Sequence, residues 1–234
     1  YSRLISDMTL GAALVASGQK TDAMAILPRP AAVTRAVDIL SEGALAAVTA
    51  GCAAILAEEY EAASEILDGL EARARAVSAP NALAAILASR ALLDHRLCRW
   101  PAAAAGASEA LELARQCGNQ AAARWASSVL ATVEAAQGRT AECRQRCLSL
   151  LDPVSGSGPV TRTAALAALG LLELGDGHFD AAIHWYQVLA GAFAPRSRPS
   201  PSVNMWEADL AEAYAGAGRI TEADQVLRDL EERS

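Results

Sequence analysis

The chain repeats itself at an interval of about 40 residues, and no other feature limits its possible folds as much. The clearest copy is GDGHFDAAIHWY at 175–186. With Gly177 taken as a marker, equivalent turn positions stand at Gly18, Glu58, Cys98, Gly138 and Gly218, so successive copies are 40, 40, 40, 39 and 41 residues apart. Seven residues before each marker stands Gly11, Gly51, Ala91, Ala131, Gly170 or Ala211; five residues after it stands Ala23, Ala63, Ala103, Cys143, Ala182 or Ala223. Twelve residues after it the series Leu70, Ala110, Leu150, Leu189 and Leu230 is apolar, with Pro30 as the exception in the first copy. A unit of this length cannot bury its apolar face alone and must stack on its neighbours. Small residues in phase let two antiparallel helices approach closely, and the larger apolar ones seal the contact. Each copy therefore reads as helix, turn, helix.

Alanine supplies 56 of the 234 residues and aromatics 4%, a composition that favours helices and keeps them thin and closely spaced. Taken in order, helices are expected near 2–17, from there to Leu27, near 31–40, 42–56, 59–77, 80–97, 100–116, 119–137, 140–151, 159–175, 178–192, 202–217 and 219–232. Gly18 marks the first C-terminal stop and Pro30 a first-turn position. Turn-rich 152–159 and proline-rich 194–201 read as links between successive units. The whole of 1–234 is thus expected to be one repeat domain. Because it opens at Tyr1 inside a helical pattern, it reads as a piece of a longer protein.

A net charge of −7 and a pI near 5.0 argue against nucleic acid binding by this segment, since phosphate contacts need a basic footprint. No secretory signal or spanning segment stands out, so no membrane partner is expected. Five scattered cysteines suit a reducing, cytoplasmic setting better than a disulfide framework. Cys143 and Cys147 share a helical face, but nothing nearby completes a tetrahedral metal set, so they read as buried structural thiols and no metal is expected. Gly18-Gln19-Lys20-Thr21 lacks the Gly-Lys pair and earlier glycine of a phosphate loop, and Ser155-Gly156-Ser157-Gly158 lacks the spacing of a nucleophile elbow. The three histidines, His95, His178 and His184, form no metal-binding pair. The chain reads as non-catalytic, with no catalytic residue and no cofactor in this segment.

The phased positions resemble the tetratricopeptide repeat, in which a small residue on the first helix and an alanine on the second sit twelve apart, as Gly170 and Ala182 do. Such a unit usually runs about 34 residues. The longer interval here implies a longer second helix or following loop, and most units lack the first-helix aromatic, with Tyr214 the main exception. A narrower resemblance spans 43–234. The runs CRWPAAAAGASEALELARQCGNQAAARWASSVLATVEAAQGRTAECRQRC, LGLLELGDGHFDAAIHW and DLAEAYAGAGRITEADQVLRDLE are similar to the helical-repeat region of large bacterial LuxR-type regulators, the family of the maltose regulator. That resemblance implies an ATP-binding switch module before the repeats and a helix-turn-helix DNA-binding domain after them, both outside this chain. It also implies that this segment is a sensor which binds a small-molecule effector or a regulatory protein.

An all-α superhelix of about six hairpins presents its first helices on a concave side. Carrying the groove positions over by phase from the tetratricopeptide resemblance selects His95 and Arg96 in the third unit, Trp125, Ser128 and Thr132 in the fourth, and Met205 and Glu212 in the sixth. Their neighbours, Ile5, Met8, Val48, Ile55, Leu171 and Leu174, are apolar, the general makeup of a ligand groove. A general peptide- or helix-binding scaffold is the alternative reading. Leu4, Ile5 and Leu10 make an apolar opening that suggests a further packing partner, with self-association one way to cover it.

Overall fold

The computed structural model describes residues 2–41, 43–193 and 205–232, and all its regular structure is helical. The helices are α1 (Ser2–Ala16), α2 (Lys20–Ile26), α3 (Pro30–Ala36), α4 (Gly43–Leu56), α5 (Tyr60–Ala76), α6 (Pro80–Arg96), α7 (Trp100–Gln116) and α8 (Gln120–Ala136). They continue with α9 (Thr140–Leu151), a 3-10 turn (Pro153–Ser155), α10 (Pro159–Gly175), α11 (Phe179–Gly191), α12 (Trp206–Gly216) and α13 (Ile220–Glu231). The chain forms two compact units, Tyr1–Ala126 and Ser127–Ser234. The proline-rich link at 194–201 lies outside the described residues.

The repeat length is explained by the helices. From α5 to α8 each is 17 residues long, and their first residues, 60, 80, 100 and 120, stand twenty apart, so two helices and two three-residue turns make 40. The added length therefore lies in both helices and in neither connector. Each marker residue takes a left-handed conformation, with φ from 57° at Cys98 to 83° at Gly18. The amide of the marker donates to the carbonyl three residues back, and the next amide to the carbonyl five before it, as in Gly138 N–H to Ala135 O (3.0 Å) and Arg139 N–H to Glu134 O (2.9 Å). This double bond satisfies the carbonyls that a helix end leaves open. Ser78 (φ 51°) and Gly118 (φ 67°) make the same turn between units. Glycine suits such a position and a side chain strains it. Cys98→Gly should accordingly raise stability by about 0.5–1 kcal/mol, read as a higher urea midpoint.

The first expected link was less accurate. A helix was expected near 31–40, but α3 ends at Ala36, where Val37 turns extended with ψ 126°. Asp38 is the cause. Its carboxylate accepts from Leu40 N–H at 3.0 Å and its carbonyl accepts from Ser41 Oγ at 2.7 Å, offering the backbone a local turn in place of further helix. Pro30 does begin α3.

Within each hairpin the phased small residues sit where two helices touch. A Cβ added at Gly11 would meet Leu27 at 2.5 Å, at Gly51 Leu67 at 2.9 Å, and at Gly170 Tyr186 at 2.4 Å. The partner always stands nine residues after the marker, and its size compensates. Glycine faces Leu27, Leu67 and Tyr186, whereas Ala91 and Ala131 share their phase with Ala107 and Cys147. All six small residues five positions after the marker are buried. In the first unit two clusters form, Val15, Ala23, Ala53 and Ala57, then Ala54, Ile55, Ala63, Leu67 and Leu93. In the second, Cys143 and Cys147 pack with Ala165, Leu169 and Leu172, and Tyr186 packs with Trp206, Leu210 and Ala213.

Candidate functional site

Seven residues were expected to line a groove on the first helices. His95, Arg96 and Trp125 fall in the first compact unit, and Ser128, Thr132, Met205 and Glu212 in the second. In the first unit, Ser89 on α6 is the residue that joins neighbours. Its buried hydroxyl donates to Ala85 O at 3.0 Å, accepts from Cys52 Sγ of α4 at 3.2 Å, and accepts from the indole Nε1 of Trp125 on α8 at 3.4 Å. Burial raises the Cys52 thiol pKa above its usual value. Three successive first helices are thereby connected by side chains on one line, with the Trp125 ring half-buried at its end. Ser89, nine residues before its marker, stands at no phase carried over for groove residues, whereas Cys52, six before its marker like Thr132 and Glu212, does stand at one and was read only as a scattered thiol.

His95 and Arg96 end α6. The imidazole packs edge-on against Trp100, the first residue of α7, with ring centroids 5.1 Å apart at 87°. Both ring nitrogens are buried, and neither has a hydrogen-bond partner among the described residues. Burial, and secondarily the Arg96 charge, lowers the His95 pKa to about 4, so the ring is neutral at physiological pH. Arg96 is half-buried beside Glu58 and Tyr60 of the preceding unit, and burial lowers its pKa as well.

This histidine makes stability pH-dependent. In the unfolded chain it takes a proton near 6.5 and in the folded chain only near 4, so between those values the unfolded state holds more protons and stability falls as pH drops. The expected loss from pH 7.5 to pH 5 is about 2 kcal/mol. His95→Phe keeps an aromatic edge against Trp100 and should remove that part of the dependence, a difference visible in urea midpoints at the two pH values.

A second set of polar residues recurs with the repeat. Four residues before the marker stand Asp94, Glu134 and Glu173, all buried. The marker's successor meets each as the chain reverses. Arg99 approaches Asp94 at 3.6 Å, Arg139 approaches Glu134 at 4.0 Å, and His178 Nδ1 lies 3.0 Å from Glu173. Second-helix arginines complete two of them: Arg146 grips Glu134 through two bonds of 2.8 and 2.9 Å, and Arg144 reaches Glu173 at 2.7 Å. In the last unit the acid is replaced by Tyr214, with the Arg219 guanidinium 4.7 Å above its ring. The turn residues bind back to their own first helix, Arg146 closes the α8–α9 hairpin, and Arg144 joins α9 to the following α10. The common phase of these acids was present in the sequence and would have revealed them.

In the second unit Ser128 is buried, and its carbonyl accepts from Thr132 Oγ1 at 3.1 Å. Met205 precedes α12 with φ 48° and is exposed. Glu212 is exposed on α12 near the pair in which the Tyr186 hydroxyl donates to Asp209 at 3.3 Å. Burial pushes the Asp209 carboxyl up and the Tyr186 hydroxyl well above its usual range, and Glu212 adds in the same direction. A shallow cavity of about 510 Å³ opens at the turn between α10 and α11, lined by 177–181 and Ala217. None of the seven expected residues lines it.

Among the described residues no group of three or more His, Cys, Asp or Glu is placed to hold a metal, and no helix is long and apolar enough to cross a membrane. The Cys143 and Cys147 sulfurs lie 3.9 Å apart inside the core.

No protein-family model and no curated protein matches this chain. Among solved structures it is similar to the crystal structure of BtubC (BKLC) from P. vanneervenii, with a TM-score of 0.56 and 14% identity over 98% of this chain and 90% of that one. At that identity the likeness concerns the fold alone.

Proposed function

We propose that this chain is a non-catalytic, tetratricopeptide-like interaction module, and that it serves as the sensor region of a LuxR-type ATP-dependent transcriptional regulator. The observation that carries the interaction reading is the alignment of Cys52, Ser89 and Trp125 on three successive first helices. Helices displayed side by side in this way offer a continuous face for a small effector or a segment of a regulatory protein. Trp125 supplies a half-buried aromatic surface on that face, the kind of side chain that anchors ligands. The regulator reading rests on the sequence resemblance over 43–234. Occupancy would be relayed if the ligand binds one arrangement of the helices better than another.

The test has two parts. A phosphate-loop module encoded upstream and a helix-turn-helix downstream would support the regulator, and flanks without them would reduce the reading to a bare interaction scaffold. A thermal-shift screen of metabolites and peptides on the intact protein then tests binding. A ligand whose stabilising shift disappears in Trp125→Ala supports the proposed face, and a shift unaffected by that change places binding elsewhere and overturns it.

A further inference from the structure

Five residues after the marker the repeat places Ala23, Ala63, Ala103, Ala182 and Ala223, and nine after it Leu27, Leu67, Ala107, Tyr186 and Leu227. Packing at these phases therefore needs a small side chain and an apolar one, and Ala103 with Ala107, both buried, shows that two alanines suffice. One copy departs from this. It puts thiols at both phases, Cys143 and Cys147, one turn apart on the face of α9 that meets α8 and α10.

Both side chains are fully buried, and their sulfurs lie 3.9 Å apart. Cys143 Sγ donates to Ala131 O at 3.4 Å, which leaves Cys147 to donate to Cys143. That bond lowers the Cys143 pKa, and the same bond together with burial raises that of Cys147. The cluster around them is apolar, with Ala165, Leu169 and Leu172 supplied by α10. Among the described residues no third His, Cys, Asp or Glu joins the pair in a metal set.

These surroundings select the kind of ion. A structural zinc requires four ligands and would find two. A monovalent soft ion on two thiolates keeps a net negative charge, and Arg144 and Arg146, the cations that act on Cys143, are already engaged by Glu173 and Glu134. A divalent soft ion that accepts two thiolates in line gives a neutral product, which an apolar core admits.

We propose that Cys143 and Cys147 form a two-coordinate site for the mercuric ion. Binding is a substitution without redox change: two S–H bonds break, two S–Hg bonds form, and two protons leave to solvent. Because both sulfurs are covered, entry requires a local opening of α9 from α10, and capture is slower than at the exposed Cys98 and Cys117. The site lies in the core and does not depend on the face around Trp125.

The test loads mercuric chloride onto the whole chain carrying Cys98→Gly and Cys117→Ala, which removes the exposed thiols. One ion per chain should be retained against excess glutathione, and X-ray absorption should show two sulfur neighbours and no third ligand. Adding Cys143→Ala or Cys147→Ala should each weaken retention at least about 100-fold, because a lone thiol loses the effective concentration of its partner. Both variants should fold, since alanine already occupies each phase in another copy. Loading should also raise the urea midpoint of the parent chain, as expected for an ion held by the native pair. Loss of the ion to glutathione overturns the proposal, and so does retention that survives either alanine change. A lowered midpoint overturns it as well, because the ion would then grip the unfolded chain. Zinc retained as firmly as mercury would refute two-coordinate binding.

Discussion

Gly170→Ala is expected to lower stability by about 2–4 kcal/mol, although alanine is the better helix former by about 1 kcal/mol. The added methyl would lie 2.4 Å from Tyr186 Cε1 and 2.5 Å from Cζ, far inside van der Waals contact. The ring cannot simply move away. It is fully buried, stacked on Trp206 at 6.3 Å, and its hydroxyl donates to Asp209 at 3.3 Å. Either α10 and α11 separate or the ring gives up both partners. The decisive measurement is a double-mutant cycle by urea unfolding. Tyr186→Ala alone should cost about 3–5 kcal/mol, and adding Gly170→Ala to it should cost nothing further, because Ala91 and Ala107 already combine two small residues at this pair of phases. Equal losses from Gly170→Ala in both backgrounds would refute the steric account.

Glu134→Ala comes second, with an expected loss of about 2–4 kcal/mol. The carboxylate is buried, accepts both Arg146 bonds and has Arg139 at 4.0 Å. Removing it strands a guanidinium whose side chain is only 21% exposed. That partial exposure lets Arg146 recover some water and places the loss below that of a fully enclosed pair. Replacing both residues with leucine should recover most of the loss, since an apolar pair of similar volume needs no charge partner. If the double change is as harmful as the single, the clasp matters for shape more than for charge, and the electrostatic reading fails.

Both effects concern positions defined by the repeat, and the repeat was readable without coordinates. The phases of Gly11, Gly51 and Gly170, and of Ala23, Ala63, Ala103, Cys143, Ala182 and Ala223, anticipated the helix contacts, because close packing leaves few residue types that fit. Most helix ends followed from Gly, Pro and the 3.6-residue pattern for the same local reason. Local chemistry at Asp38 still shortened α3, since a side chain two residues from an amide competes with the helix in a way that apolar periodicity does not register.

The candidate groove was less legible. Phase alone selected His95 for it, but Trp100 one turn later covers the imidazole edge and burial keeps it neutral. Ser89 was passed over although it connects Cys52 to Trp125, because a serine within an alanine-rich run carries no signal until its neighbours are placed around it. Asp94, Glu134 and Glu173 share one phase of the repeat, but the turn geometry and the neighbouring helices decide which arginine or histidine meets each of them.

The sequence by itself therefore determined the all-helical class, the repeat period and which small residues lie between helices. These depend on backbone propensity and on size, and both are properties of single residues at fixed spacing. Only the tertiary structure decided which polar groups meet and which partners the buried acids find. Those outcomes depend on which helix stands across from a residue, and that helix is supplied by a distant part of the chain.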